Sequence, residues 1–142
     1  MNTVHTSSNT LTDGIRVEVF PSHIPEENAP QDGRFYFSYR IKMTNEGDEW
    51  GKLLSRKWII IDSEGNEEVV EGSGVVGYTP ELNPGESFTY TSFCPLDTRW
   101  GTMEGWYLFK RRGGEEFKVL IDRFYLVEPS LVDGDNEESF EI

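Results

Sequence analysis

Apolar and polar residues alternate one by one along most of this chain, which is the pattern of half-buried β-strands. In the clearest segment, Phe35, Phe37, Tyr39, Ile41 and Met43 share one face, and mostly polar residues share the other. No segment shows the period of about 3.6 residues that marks an amphipathic helix. The alternation therefore predicts an all-β protein whose antiparallel strands bury one face and expose the other.

Turn signals divide the chain into about seven or eight short strands. A strand over Ile15–Val19 is expected to end at Pro21, because proline cannot donate to a strand ladder, and residues 21–33 are expected to form a loop. Asp62–Asn66 and Arg111–Glu115 predict hairpin loops. The apolar phase slips at Asp122-Arg123, which predicts a β-bulge.

The length of 142 residues fits one domain. We predict a flexible N-terminus over residues 1–11, a β-sandwich over 12–127, and a flexible acidic tail over 128–142. The tail carries six acidic residues and no basic one.

The net charge of −13 disfavours binding to nucleic acids and to anionic membranes, because both partners are negative. No apolar run is long enough to span a bilayer, and no charged-then-apolar leader is visible, so we expect a cytoplasmic protein. A single cysteine excludes a disulfide framework within the chain and a multi-cysteine zinc site. With only two histidines, we expect no metal site and no cofactor.

The sequence contains few residues that could form a catalytic site. Cys94 precedes Pro95 at a strand end and is expected to be a buried small apolar residue. As a nucleophile it would need a base, and only His23 is a candidate. No carboxylate pair lies in an evident apolar cleft, so we expect no enzyme.

Residues 72–77 read Gly-Ser-Gly-Val-Val-Gly and match the G-x-G-x-x-G pattern. A dinucleotide-binding fingerprint must open a helix, but Pro80 and Pro84 occupy the place of that helix. Two interpretations remain open. The glycines can serve a tight structural corner, or Gly72, Gly74 and Gly77 can form a backbone concavity for a phosphate-like anion, with Arg56, Lys57 and Arg99 offsetting the acidic field.

Tyr78, Trp100 and Trp106 lie in or beside glycine-rich segments. They are candidates for a surface patch that binds a partner, although packing in the core or at its rim is the alternative.

The chain resembles the ApaG family over roughly residues 12–127. The residues that carry the resemblance are Leu54–Asp62, Gly72–Gly77, Pro80, Leu82–Gly85, Phe88, Tyr90, Ser92, Leu96, Thr98, Gly101, Met103, Gly105, Tyr107, Phe117, Val119, Ile121, Phe124 and Leu126.

The resemblance implies a fibronectin type III-like or immunoglobulin-like antiparallel β-sandwich. Related domains stand alone in bacteria or are fused to an F-box in a eukaryotic protein, which implies a non-catalytic module that binds a protein partner. The family is also linked to diadenosine tetraphosphate hydrolase by name and gene neighbourhood, and to a cobalt and magnesium resistance phenotype. These links leave two alternatives: binding of pyrophosphate or a dinucleoside polyphosphate at the glycine loop, or a role in cobalt and magnesium homeostasis. Lys57 stands where the family often has histidine.

Overall fold

The computed structural model describes residues 6–131, which form two stacked antiparallel β-sheets. The strands are β1 (Ser8–Thr12), β2 (Ile15–Ile24), β3 (Phe35–Asn45), β4 (Gly51–Asp62), β5 (Glu67–Ser73), β6 (Glu81–Leu82), β7 (Ser87–Leu96), β8 (Trp100–Lys110) and β9 (Glu116–Val127). Short 3-10 helices cover Glu26–Asn28 and Pro129–Leu131.

One sheet has the order β1-β2-β3-β7, and the other has the order β5-β4-β8-β9, with β6 paired to the start of β4. The predicted all-β sandwich is confirmed. The residues described contain nine strands instead of seven or eight, because the sequence pattern did not reveal β1 or the two-residue β6.

The N-terminal boundary predicted from the sequence is wrong. Residues Ser8–Leu11, placed in a flexible segment, form β1 together with Thr12 and pair with β2. Asp13 and Gly14 both have positive φ (48° and 84°) and make the two-residue turn between the strands. Asp-Gly is a strong signal for such a hairpin, so the sequence did contain the clue. Met1–His5 lie outside the described residues.

Pro21 does not end β2, contrary to the sequence prediction, and the strand continues to Ile24. β1 pairs with β2 only as far as Val19, so within residues 6–131 the rest of β2 is paired on one side alone, with β3. A strand with one free edge tolerates a residue that lacks an N–H. The predicted loop is therefore shorter than residues 21–33.

At the other end, the backbone N–H of Glu128 donates to the carbonyl of Arg99 at 2.9 Å, and Pro129–Leu131 form a 3-10 turn. The first residues of the predicted flexible tail are thus tied to the domain. Residues 132–142 lie outside the described part of the chain.

The core fills the space between the sheets and follows the predicted alternation. Phe37, Tyr39, Ile41 and Met43 are buried, as expected from their shared face. Trp58 lies at the centre and packs edge-on against aromatic rings from both sheets.

The predicted bulge is confirmed. Asp122 and Arg123 together oppose Glu104, and the register resumes with Ile121 opposite Gly105 and Phe124 opposite Met103. Arg123 Nε lies 2.7 Å from Glu104 Oε1 and pins the bulge from the outer face. The extra residue returns Phe124 and Leu126 to the core, which explains the change of phase in the sequence.

The two sides of the sandwich differ. On one side, Thr10 and Thr12 of β1 accept hydrogen bonds through Oγ1 from the backbone N–H groups of Asp122 and Leu120 in β9, each at 3.2 Å. On the other side, the edge strands β5 and β7 face each other. A cleft of about 300 Å³ lies between them.

A buried pair of tyrosines joins the sheets near this open side. The hydroxyls of Tyr90 in β7 and Tyr107 in β8 lie 2.5 Å apart. Burial raises the pKa of both phenols above the ordinary value of about 10, because neither anion can be solvated there. Both groups are therefore held in their neutral forms.

We predict that Tyr90→Phe lowers the free energy of unfolding by about 1–3 kcal/mol, because the hydroxyl of Tyr107 loses its buried partner. A raised phenol pKa contributes stability that is full below about pH 10 and is lost above it, since the unfolded phenols ionise first. The wild-type protein should therefore lose stability more steeply than Tyr90→Phe as the pH rises past about 10.

Urea unfolding at a series of pH values tests both points. Tyr78→Phe is the control, because it removes a hydroxyl from an exposed tyrosine. It should leave the free energy of unfolding at neutral pH unchanged. Equal alkaline slopes for wild type and Tyr90→Phe would contradict the role given to the buried pair.

Candidate functional site

The residues proposed from the sequence lie in three separate places. Gly72 lies near the end of β5, and Gly74, Gly77 and Tyr78 belong to the turn that follows it. The Arg56 side chain reaches that turn from inside the sandwich. Lys57 and Trp106 lie on the outer face of the second sheet, opposite each other in β4 and β8.

Trp100 is not part of either group. It begins β8 and pairs with Val127, six residues before Trp106, which is about 20 Å along an extended strand. The structure therefore does not bring the glycine turn, the Lys57–Trp106 pair and Trp100 together, because nearness to glycines in sequence does not fix the face or the end of a sheet.

The glycine motif ends in a tight two-residue turn. Val75 and Tyr78 exchange both backbone hydrogen bonds at 2.8 Å, and the turn residues Val76 and Gly77 have φ of 43° and 88°. Positive φ at both central positions defines the type I′ turn that joins twisted strands. The structural interpretation of the glycines therefore has a direct geometric basis.

Val76 is the anomalous residue of this turn. A β-branched side chain in the left-handed region is strained by about 1–3 kcal/mol, and asparagine or glycine normally fills the position. Val76 is also 48% exposed, so the burial of its side chain does not offset the strain.

Gly74 is required by close packing. Its φ is +64°, and a Cβ at this position would lie 2.4 Å from the carbonyl oxygen of Tyr78. Its N–H donates to the carbonyl of Leu54 at 2.9 Å, which anchors the turn to β4.

Arg56 is held against the same turn. Its Nη1 donates to the carbonyls of Ser73 and Gly74 at 3.0 and 2.9 Å. A Cβ on Gly72 would lie 2.9–3.0 Å from three guanidinium atoms, so the missing side chain makes room for the flat face of the arginine.

These contacts weaken the phosphate hypothesis for the loop. The N–H groups of Gly74, Val75 and Tyr78 are already donated to carbonyls of the protein. The carbonyls of Ser73 and Gly74 are directed at Arg56. An anion-binding concavity needs free N–H groups that converge, and in this loop the backbone N–H groups named above already have protein acceptors.

The outer face of the second sheet carries a separate cationic patch. Lys57 Nζ lies 4.9 Å and Lys118 Nζ 4.3 Å from the Trp106 ring centroid. Two ammonium groups over one indole form cation–π contacts and concentrate positive charge on an acidic protein. Sequence reasoning missed Lys118, although Phe117 and Val119 face the core and therefore place residue 118 on the outer face.

Cys94 is buried, as expected, and burial raises the pKa of its thiol to about 12, so the thiol is protonated at neutral pH. His23 is not placed to act as its base. In the register of the sheet, His23 pairs with Phe37, and Phe37 pairs with Cys94, so a phenylalanine separates the two.

Among residues 6–131, no group of three or more His, Cys, Asp and Glu side chains is arranged to hold a metal ion. In that same part of the chain, no helix has the length and apolar character needed to cross a membrane.

The family model of the ApaG domain matches residues 25–111, which include β3 to β8 and the glycine turn. The chain belongs to the ApaG family. The resemblance found in the sequence is thereby confirmed.

Relatives named "Protein ApaG" match over most of their length. The Anaeromyxobacter sp. (strain K) protein is 46% identical over 125 residues, which cover 88% of this chain and 98% of that protein. The Methylobacterium nodulans protein is 47% identical over 120 residues, which cover 84% and 92%.

Solved structures support the ApaG fold. The X-ray structure of structural-genomics target SoR45 superimposes with a TM-score of 0.79 at 40% identity and covers 87% of this chain and 94% of that chain. A Bordetella pertussis structure described as an ApaA protein gives a TM-score of 0.75 at 40% identity, over 89% and 98%.

The geometry of this ApaG turn predicts different costs for two glycine substitutions. Gly74→Ala should lower the free energy of unfolding by about 3 kcal/mol, because it combines positive φ with a backbone clash. Gly77→Ala is the matched control. It shares positive φ but has open space around the new Cβ, so it should cost only about 1 kcal/mol.

Urea unfolding of the two variants beside wild type measures both costs. Equal losses, or no loss for Gly74→Ala, would show that the close approach to Tyr78 does not restrict residue 74.

Proposed function

We propose that this chain is a non-catalytic, cytoplasmic binding module that recognises a protein partner through the turn over residues 75–78. Val76 at its tip and the flanking Tyr78 are the contact residues, and the ring of Phe88 in β7 packs beside Tyr78. The family resemblance led to the same class of function.

The observation that carries this proposal is the exposure of a strained valine and of a tyrosine on one hydrogen-bonded turn. Tyr78 is 61% exposed and Val76 is 48% exposed, and both lie in the turn that follows Gly74, whose N–H is bonded to the carbonyl of Leu54. Exposed tyrosines on rigid supports bind partners well, because they bury large areas with little loss of conformational entropy. A valine that strains the backbone and stays exposed gives no evident benefit to folding.

A shallow groove beside the turn extends the proposed contact surface. Tyr78, Pro80 and Phe88 line it, and the Tyr78 and Phe88 ring centroids lie 5.8 Å apart. Glu81 and Glu86 stand at its rim. Apolar walls with acidic edges suit a partner segment that presents an apolar side chain next to lysine or arginine.

Val76→Asn separates stability from recognition. Because asparagine is favoured in the left-handed region, this variant should raise the free energy of unfolding by about 1 kcal/mol. It should also weaken partner binding, since an apolar contact is lost. A variant that is more stable and binds less well cannot be explained by damage to the fold.

The partner is first captured with a photo-crosslinking residue in place of Tyr78, and the affinity of the purified pair is then measured by titration calorimetry. Val76→Asn and Tyr78→Ser should each weaken binding about tenfold or more. Phe93→Ser, at an exposed aromatic residue of β7, is the control and should leave affinity unchanged. A captured protein that binds all three variants equally well would contradict the proposed site.

A further inference from the structure

The cleft between the edge strands β5 and β7 is distinct from the turn surface and contains the inward side of Arg56. Its volume is about 300 Å³, at the lower end of the range for small-molecule sites. Its walls include the aromatic and aliphatic side chains of Tyr39, Trp58, Ile60 and Val70, together with the charged side chains of Arg34, Arg56 and Glu68. It therefore places a cation beside aromatic and aliphatic side chains inside the sandwich.

Arg56 brings unused hydrogen-bonding capacity to this cleft. Nη1 is engaged by two backbone carbonyls, whereas Nε and Nη2 donate to no group among residues 6–131. No carboxylate in that range forms a salt bridge with Arg56. A half-buried guanidinium without a counter-charge favours an incoming anion.

The guanidinium is also fixed in advance. The two carbonyl contacts hold one of its nitrogens, and the open side of Gly72 receives its flat face. A guanidinium group that is already ordered loses little conformational entropy when it binds a carboxylate through two parallel hydrogen bonds. Gly72 is thus a positioning residue for Arg56.

The remaining charged groups of the cleft limit the kind of anion. Glu68 pairs with Ile60 in the register, while Arg56 pairs with Gly72, so Glu68 lies about 13 Å farther along the strands. Arg34 also lines the cleft but already contacts Asp97 at 3.3 Å. One anionic head at Arg56 with an uncharged body between the sheets fits this arrangement, whereas a polyanion would meet Glu68.

We propose that this cleft binds a small organic monocarboxylate with an aromatic or branched apolar body, and that Arg56 binds its carboxylate through two parallel hydrogen bonds. The body lies against Trp58 and Tyr39, on the side of the sandwich that none of the described strands closes.

The test uses phenylacetate as the probe and phenylacetamide as its uncharged match, each titrated into the folded, isotopically labelled protein and followed by amide NMR shifts. Phenylacetate should give saturable shifts at Val70, Ser92 and Cys94. Phenylacetamide should bind about tenfold or more weakly, because it cannot form the charged pair. This comparison needs no variant and does not depend on any effect of mutation on folding.

Two variants then assign the effect to the arginine. Arg56→Gln and Gly72→Ala should each weaken phenylacetate binding about tenfold, the first by removing the charge and the second by displacing it. Arg40→Gln on the outer face of the first sheet, where Arg40 stacks on Phe20, should leave the affinity unchanged. Each variant is first confirmed to be folded by its amide spectrum.

Absence of saturable shifts at the cleft residues would overturn the proposal. Equal affinity for phenylacetate and phenylacetamide would overturn the role of Arg56, as would unchanged binding by folded Arg56→Gln. None of these outcomes bears on the turn at Val76 and Tyr78, so failure of this proposal and failure of the proposed function are distinguishable.

Discussion

The edge-to-face packing of Trp58 between the two sheets sets the chemistry of the strand that carries it. Its ring lies 5.5 Å from Tyr39, 5.7 Å from Phe124 and 6.3 Å from Tyr107, measured between centroids. Because successive residues of a strand point to opposite faces, an inward Trp58 turns Arg56 inward and Lys57 outward. A slip of one residue would place Lys57 in the cleft and Arg56 on the patch beside Trp106. The aromatic contacts thus determine which cation faces which environment.

The glycine motif depends on this register, and its three glycines meet three different physical requirements. Gly72 leaves room for the guanidinium of Arg56, Gly74 permits the approach to the Tyr78 carbonyl, and Gly77 takes the second left-handed position of the turn. Nucleotide-binding loops use the same spacing for another reason, the approach of backbone to phosphate. The shared G-x-G-x-x-G pattern therefore indicates only that three positions cannot carry a side chain. The physical reason for that requirement differs between this fold and the nucleotide-binding fold.

The strands and the core could be predicted because alternation is a local property of the sequence. The bulge at Asp122-Arg123 was visible for the same reason, since a phase slip is also local. The prediction at Pro21 was wrong because a strand tolerates proline only where one of its edges is unpaired. That depends on where β1 stops pairing with β2, which the local sequence around Pro21 does not show. The site was harder still. Separating Trp100 from Trp106 requires the knowledge that β8 already begins at Trp100, and the sequence pattern does not supply that bound.

The side of β4 on which Arg56 lies was partly available from the sequence. Its spacing from Trp58 places both on one face, but the irregularity between Leu53 and Ser55 hides the phase at the start of β4. No sequence pattern could show which hydrogen bonds and charged groups surround the Arg56 guanidinium in the folded protein. Arg16, Arg111 and Arg123 each contact a carboxylate at the surface, where ion pairs contribute little.

Arg56 instead faces carbonyls and a half-enclosed cleft beside aromatic side chains, where fewer waters compete for its donors. The net charge of −13 repels anions at long range, but salt screens that field beyond about 8 Å under physiological conditions. Within the cleft the nearest charge therefore decides, and that charge is the guanidinium. An acidic protein can in this way retain a site for an anion, provided that the cation is ordered before the ligand arrives and that the acidic groups lie farther away. The positions of Gly72 and Glu68 in the register of β4 and β5 meet both conditions.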